Sequence, residues 1–191
     1  METLTRPSAS LKKAALNNGL IWGAVNIAIF LIVYYVKPDL MGSFSWGIIQ
    51  FLIGIGLAVY FCLDLRKKAG GYWTFREALS NIFIMFVVPA VLVYFFTIIF
   101  AKFLEPEYAV KMKEIMTNTA TSMYEKMGMD QEKIDEALAE SEKAFENQFN
   151  PGFSGILMSL GMVIVMYFIG ALIFAAIFKK DPPLFAAPSE E

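Results

Sequence analysis

Residues 105–150 read EPEYAVKMKEIMTNTATSMYEKMGMDQEKIDEALAESEKAFENQFN, the one long run in this chain suited to water. It carries eleven acidic residues and five lysines. Around it lie four stretches without a single Asp, Glu, Lys or Arg: residues 14–36, 40–63, 78–101 and 147–178. A helix needs roughly 20 apolar residues to cross the hydrocarbon core of a bilayer. A charge at the centre of such a helix costs about 2.5–3.5 kcal/mol. Four charge-free runs of that length therefore read as membrane spans, and the acidic run as the piece kept out of the lipid. The expected fold is all-α: a four-helix transmembrane bundle with an extracytoplasmic antiparallel helical hairpin between the third and fourth spans. Residues 1–104 hold the N-terminal tail and three spans, 105–150 the acidic hairpin, and 151–191 the fourth span and a disordered cytoplasmic tail.

Composition agrees. The 191 residues are 57% hydrophobic and 15% aromatic, with a mean hydropathy of +0.54, too apolar for an ordinary soluble domain. Net charge is only −2, but the charges are segregated along the chain. The single cysteine, Cys62, excludes an intrachain disulfide framework. Although Arg6, Lys12 and Lys13 precede the first run as in a signal peptide, that run is too long and no small-residue cleavage pattern follows it. A retained first span is expected.

Lysine and arginine set the orientation. Nine of them, Arg6, Lys12, Lys13, Arg66, Lys67, Lys68, Arg76, Lys179 and Lys180, fall on one side of the four runs. That side is assigned to the cytoplasm, with both termini on it. The connection at 64–77 is basic, broken by Gly70-Gly71, and closed by Thr74-Phe75-Arg76-Glu77, which fits a capping box at the head of the third span. Tyr72 and Trp73 suit the membrane interface. Arg66, Lys67, Lys68 and Arg76 are candidates for anionic lipid headgroups, each worth about 1 kcal/mol near the surface; marking the topology is their simpler role.

Small residues recur within the spans. Gly19 and Gly23 make a GxxxG pair, suited to close helix packing inside the bundle or to a dimer seam. Gly54, Gly56, Gly161 and Gly170 repeat the theme, and Pro89 interrupts hydrogen bonding in the third span. In the acidic run, Tyr108, Met112, Ile115, Met116, Thr119, Met123 and Met127 recur at helical spacing. Past Gly128-Met129, a second stripe begins at Ile134. Two such stripes joined by a glycine turn define the hairpin. Met112, Met116, Met123 and Met127 form its candidate partner surface. Their thioethers also suit Cu(I), but methionine is a common filler of irregular gaps.

The chain resembles a family at this point. Gly70-Gly71-Tyr72-x-Thr74-Phe75-x-Glu77-Ala78 after a basic patch, the Met/Glu/Lys-rich hairpin, Asn150-Pro151, and a last span ending in lysines are similar to the bacterial membrane proteins catalogued as domain of unknown function 4199. The resemblance covers nearly the whole chain and implies a four-span inner-membrane protein. It carries no catalytic or binding residue across.

Catalysis needs a nucleophile, an acid/base pair or a metal site. The chain has no histidine, no carboxylate inside the four runs and no cysteine cluster. A non-enzymatic protein without cofactor, metal or nucleic-acid partner is expected. Its partners are the bilayer, a membrane or envelope protein meeting the hairpin, or further copies of itself. The alternative is a small-solute transporter or channel subunit, for which Asn26, Gln50, Asn81 and Ser159 supply the polarity at depth.

Overall fold

The computed structural model describes residues 8–149 and 152–181, and within them the chain is helical with no strand. Six helices follow one another: α1 (Ser8–Val36), α2 (Phe44–Lys68), α3 (Phe75–Ile99), α4 (Tyr108–Lys126), α5 (Gln131–Phe149) and α6 (Phe153–Phe178). A 3₁₀ turn, Pro38–Gly42, joins α1 to α2, and a π-helical turn, Phe100–Leu104, extends α3. Four segments are long and apolar enough to cross a membrane: Ala9–Val36, Phe44–Lys68, Phe75–Leu104 and Phe153–Phe178. At 1.5 Å per residue even 25 residues reach about 37 Å, beyond the ~30 Å of a hydrocarbon core. The expected Asn150-Pro151 stop and the tail expected to be disordered lie outside the described residues.

Helix ends follow local chemistry. Ser43 caps α2 by accepting from the Trp46 backbone N–H at 3.2 Å. α2 runs on to Lys68, five residues past the charge-free stretch, because Arg66, Lys67 and Lys68 are good helix formers placed at the negative end of the helix dipole. Gly70 and Gly71, both at positive φ, then close it: Gly70 N–H donates to Lys67 C=O and Gly71 N–H to Arg66 C=O, each at 2.9 Å. That pair of bonds is a Schellman ending, which uses glycine's freedom at positive φ. Gly128, also at positive φ, ends α4 in the same manner. The capping box is present: Thr74 Oγ1 accepts from Glu77 N–H at 3.3 Å, and Glu77 Oε2 accepts from Thr74 N–H at 2.9 Å.

The packing centre is the seam between α1 and α3. A methyl added at Gly19 would meet Val88 Cβ at 2.9 Å and the Met85 carbonyl oxygen at 3.2 Å. One at Gly23 would meet Leu92 Cδ2 at 2.6 Å and Pro89 Cα at 3.2 Å. The GxxxG pair is therefore spent inside the bundle. It brings α1 against the turn of α3 where Pro89 cannot bond the Met85 carbonyl. α3 nonetheless continues unbroken through Pro89 to Ile99.

Two apolar clusters flank this seam. The larger joins Trp22, Phe61, Leu65, Trp73, Ile82, Met85, Phe86, Ala171 and Phe178, and includes the buried thiol of Cys62. The smaller gathers Tyr34, Phe100, Tyr108 and Met112. α6 is buried only at Ala171, Ala175 and Phe178, near its C-terminal end. Only 11% of its most apolar window is covered, against 28% for α1, so its N-terminal half stands largely free of the bundle.

Candidate functional site

Three places in this fold gather polar or aromatic side chains. The first is the connection between α2 and α3. Asp64 accepts from Asn18 Nδ2 on α1 at 2.8 Å and from Lys68 Nζ at 2.6 Å. Trp73 is buried, and its indole N–H donates to the Phe178 carbonyl at 2.7 Å. The backbones of Trp73 and Lys180 exchange two hydrogen bonds, at 2.9 and 3.1 Å. Lys180 Nζ lies 5.0 Å from the centre of the Tyr72 ring. This loop thus clamps the last turn of α6. Trp73 is not the interfacial anchor expected from sequence: 1% exposed, it plugs the loop from inside.

Of the four candidate headgroup residues, Arg66, Lys67 and Lys68 stand in the last turn of α2, and Arg76 in the first turn of α3. Lys67 and Arg76 are exposed and Arg66 is half-buried. Lys68 is engaged with Asp64. The Asn18–Asp64 link went unseen in the sequence because Asp64 reads there as the first residue of a loop. The available signal was depth: Asn18 and Asp64 each lie a short step inside the basic border.

The second place is the base of α4. Tyr108 and Met112 enter the cluster of Tyr34 and Phe100, with Phe30 and Phe96 packed against it. Phe100 meets Tyr34 and Tyr108 edge-on at 5.2 and 5.4 Å between centroids, the favoured geometry for aromatic pairs. Burial pushes the Tyr108 phenol up to about 12. Lys111 reaches back to Glu105 at 3.3 Å and Glu107 at 3.4 Å, and lies 5.9 Å from the centre of the Tyr34 ring. Its hydrogen bond to Glu105 holds its ammonium above the ordinary lysine range. Gly42 lets the 38–42 turn approach α4, where an added methyl would meet Ile115 Cγ2 at 2.6 Å and Thr119 Oγ1 at 2.8 Å.

The four methionines of the expected partner surface consequently divide. Met112 is buried among aromatic rings and takes no part in an exposed surface. The helical period turns it toward the bundle together with Tyr108, four residues earlier. Met116, Met123 and Met127 are exposed. Beyond them α5 touches α4 and buries Ile134. Among the described residues no three His, Cys, Asp or Glu side chains gather where a metal could be held.

The third place is a crevice between α1, α2, α3 and α6, lined by Trp22, Asn26, Gln50 and Tyr167 among others. Gly54 of α2 borders it and has nothing within 4 Å of where a methyl would stand.

The sequence features that order these three places extend over most of the chain. A family model described as "Protein of unknown function (DUF4199)" matches residues 17–180. The chain belongs to this family. The match takes in most of α1 and the whole of α2, α3, α4, α5 and α6. No curated protein and no solved structure matches the chain.

Proposed function

We propose that this DUF4199 protein is a non-enzymatic accessory protein of the bacterial inner membrane. Its four apolar segments cross the bilayer, both termini are cytoplasmic, and α4 and α5 form an antiparallel hairpin outside the cytoplasm. The hairpin meets a membrane or envelope partner. One observation carries this reading: α4 is fixed at its base by Tyr108 and Met112 in the Tyr34–Phe100 cluster, while Met116, Met123 and Met127 stay exposed. A helix held this way presents a preformed surface, which lowers the ordering cost of binding. Methionines at such a surface adapt to a partner's contour. At the opposite face Arg66, Lys67 and Arg76 serve anionic headgroups, while Lys68 is already paired with Asp64.

Photocrosslinking from the full-length protein in its native membrane tests the proposal. A photoreactive side chain at position 123 or 127 is expected to give one discrete adduct, and one at 112 none. An adduct of this chain with itself identifies the partner as a second copy. Absence of any specific adduct from 116, 123 and 127 removes the support for docking. Orientation is read separately. A cysteine at position 129, in a Cys62→Ala background, should react with an impermeant reagent in intact spheroplasts, and cysteines near the termini should not.

A further inference from the structure

A hollow of ≈ 680 Å³ opens between α4 and residues 38–44. Its α4 wall runs from Lys111 to Lys126 in steps of three and four, so it is one face of that helix. The other wall is the turn into α2, with Asp39 and Phe44. α5 leaves this face uncovered: Glu114, Asn118, Ser122 and Lys126 are all exposed.

The charges on the face are ordered. Glu114 stands toward the base of α4 and Lys126 at its far end, 12 residues and about 18 Å along the axis. Asp39 lies in the turn that Ile115 and Thr119 border. Lys111 is drawn off by Glu105 at 3.3 Å and Glu107 at 3.4 Å. Among the described residues, Asp39, Glu114 and Lys126 have no ion-pair partner. Between the charged ends Asn118, Thr119 and Ser122 are short, which lets a second helix come close.

Such a face is complementary to itself turned end for end. A two-fold rotation that sets Glu114 of each copy against Lys126 of the other also sets Asn118 against Ser122, because both pairs are centred on residue 120. Every contact then occurs twice, as in an isologous interface. Parallel alignment would oppose like charges. The path of α4 allows the reversal: its base packs on Tyr34, and Ile115 and Thr119 then border Gly42, so α4 crosses the connection between α1 and α2. With the two-fold along the membrane normal, two such helices run antiparallel while both copies keep one orientation in the bilayer.

We propose that this face is the seam of a homodimer, in which α4 pairs with α4 of a second copy and Glu114 of each meets Lys126 of the other. The proposal rests on the reading of the hairpin as a docking surface and names its partner.

Full-length chains labelled at the N-terminus with donor or acceptor dye are reconstituted together in phosphatidylglycerol vesicles, and energy transfer is followed as lipid is added. Glu114→Lys and Lys126→Glu should each need about tenfold more protein per lipid for half-maximal transfer, since each reverses two ion pairs per dimer. Glu114→Lys combined with Lys126→Glu in one chain restores both pairs at unchanged net charge, and should transfer like the parent. In a Cys62→Ala background, copper-phenanthroline oxidation should link Asn118→Cys chains to Ser122→Cys chains more readily than either to itself. Single reversals that transfer like the parent overturn the proposal, as does a combined variant that stays weak. No transfer in the parent overturns it too; adducts from position 123 to another protein would then keep the docking reading, and their absence would remove that reading as well.

Discussion

The two ends of this helical bundle are finished by different chemistry. Where α2 turns into α3, the loop is closed by hydrogen bonds of mixed origin: indole to carbonyl at Trp73, amide to carboxylate at Asn18–Asp64, and backbone to backbone at Trp73–Lys180. There α1, α2, α3 and α6 converge on one apolar cluster. At the other end α1 and α3 are joined to α4 by aromatic rings, and an open hollow lies between α4 and residues 38–44. Directional bonds fix one end as a single arrangement. The other end combines a rigid platform under α4 with space beside it, so candidate binding features collect there. In general, binding sites need a scaffold held elsewhere.

The strongest way to break this contrast is to open the closed end. Trp73→Ala removes a 1%-exposed side chain and the donor to Phe178, and should destabilise the protein by about 3–5 kcal/mol. The check is the thermal unfolding midpoint in detergent, with hydrogen exchange showing lost protection at 171–178 in α6. Trp73→Phe should lose only about 1 kcal/mol, the net worth of the missing bond. If both variants unfold like the parent, the clamp does not hold α6.

At the other end, Tyr108→Ala should free the base of α4 at a cost of about 3 kcal/mol in local stability. Amide protection should fall across 108–119 and remain at 171–178, the reverse of Trp73→Ala. Loss of protection everywhere would mean that the two ends fold as one unit.

The seam between the ends is tested by adding carbon instead of removing it. Gly23→Val forces a side chain into Leu92 and the backbone of Pro89, for an expected cost of about 1–3 kcal/mol. Gly54→Ala adds a methyl where nothing lies within 4 Å and should stay within about 0.5 kcal/mol of the parent. Equal effects at the two glycines would dissolve the distinction between closed seam and open crevice.

Much of this was legible in the residues. Charge-free runs mark the four apolar segments because lipid rejects charge, and Thr74 with Glu77 announces its cap because the spacing of donor and acceptor is local. The doubled glycine after Lys68 likewise announces a helix end. What escaped were contacts between distant residues. Nothing near Trp73 in sequence shows that Phe178, 105 positions on, supplies its acceptor. Met112 and Met116 look alike on a helical stripe, and only the position of Tyr34 and Phe100 decides that one is buried and the other exposed. Gly19 and Gly54 carry the same side chain, none, yet one meets α3 and the other open space. Periodicity reports that a face exists; it does not report what stands opposite.

The cap at Thr74 offers the smallest and most selective test of what closes the loop. Thr74 Oγ1 accepts from Glu77 N–H, and Glu77 Oε2 receives both the Thr74 backbone N–H and its hydroxyl, each at 2.9 Å. These groups are exposed, so water replaces the lost partners in Thr74→Ala and the expected cost is about 1 kcal/mol. Thr74→Ser keeps the oxygen and should recover most of that loss. The position lies one residue from Trp73, yet the two variants should part clearly: the cap governs how α3 begins, while the indole governs whether α6 stays attached. Thr74→Ala should therefore raise exchange at 75–78 and leave 171–178 protected. A loss in Thr74→Ala as large as that in Trp73→Ala would make the cap the true fastening of the closed end, with the buried indole following from it.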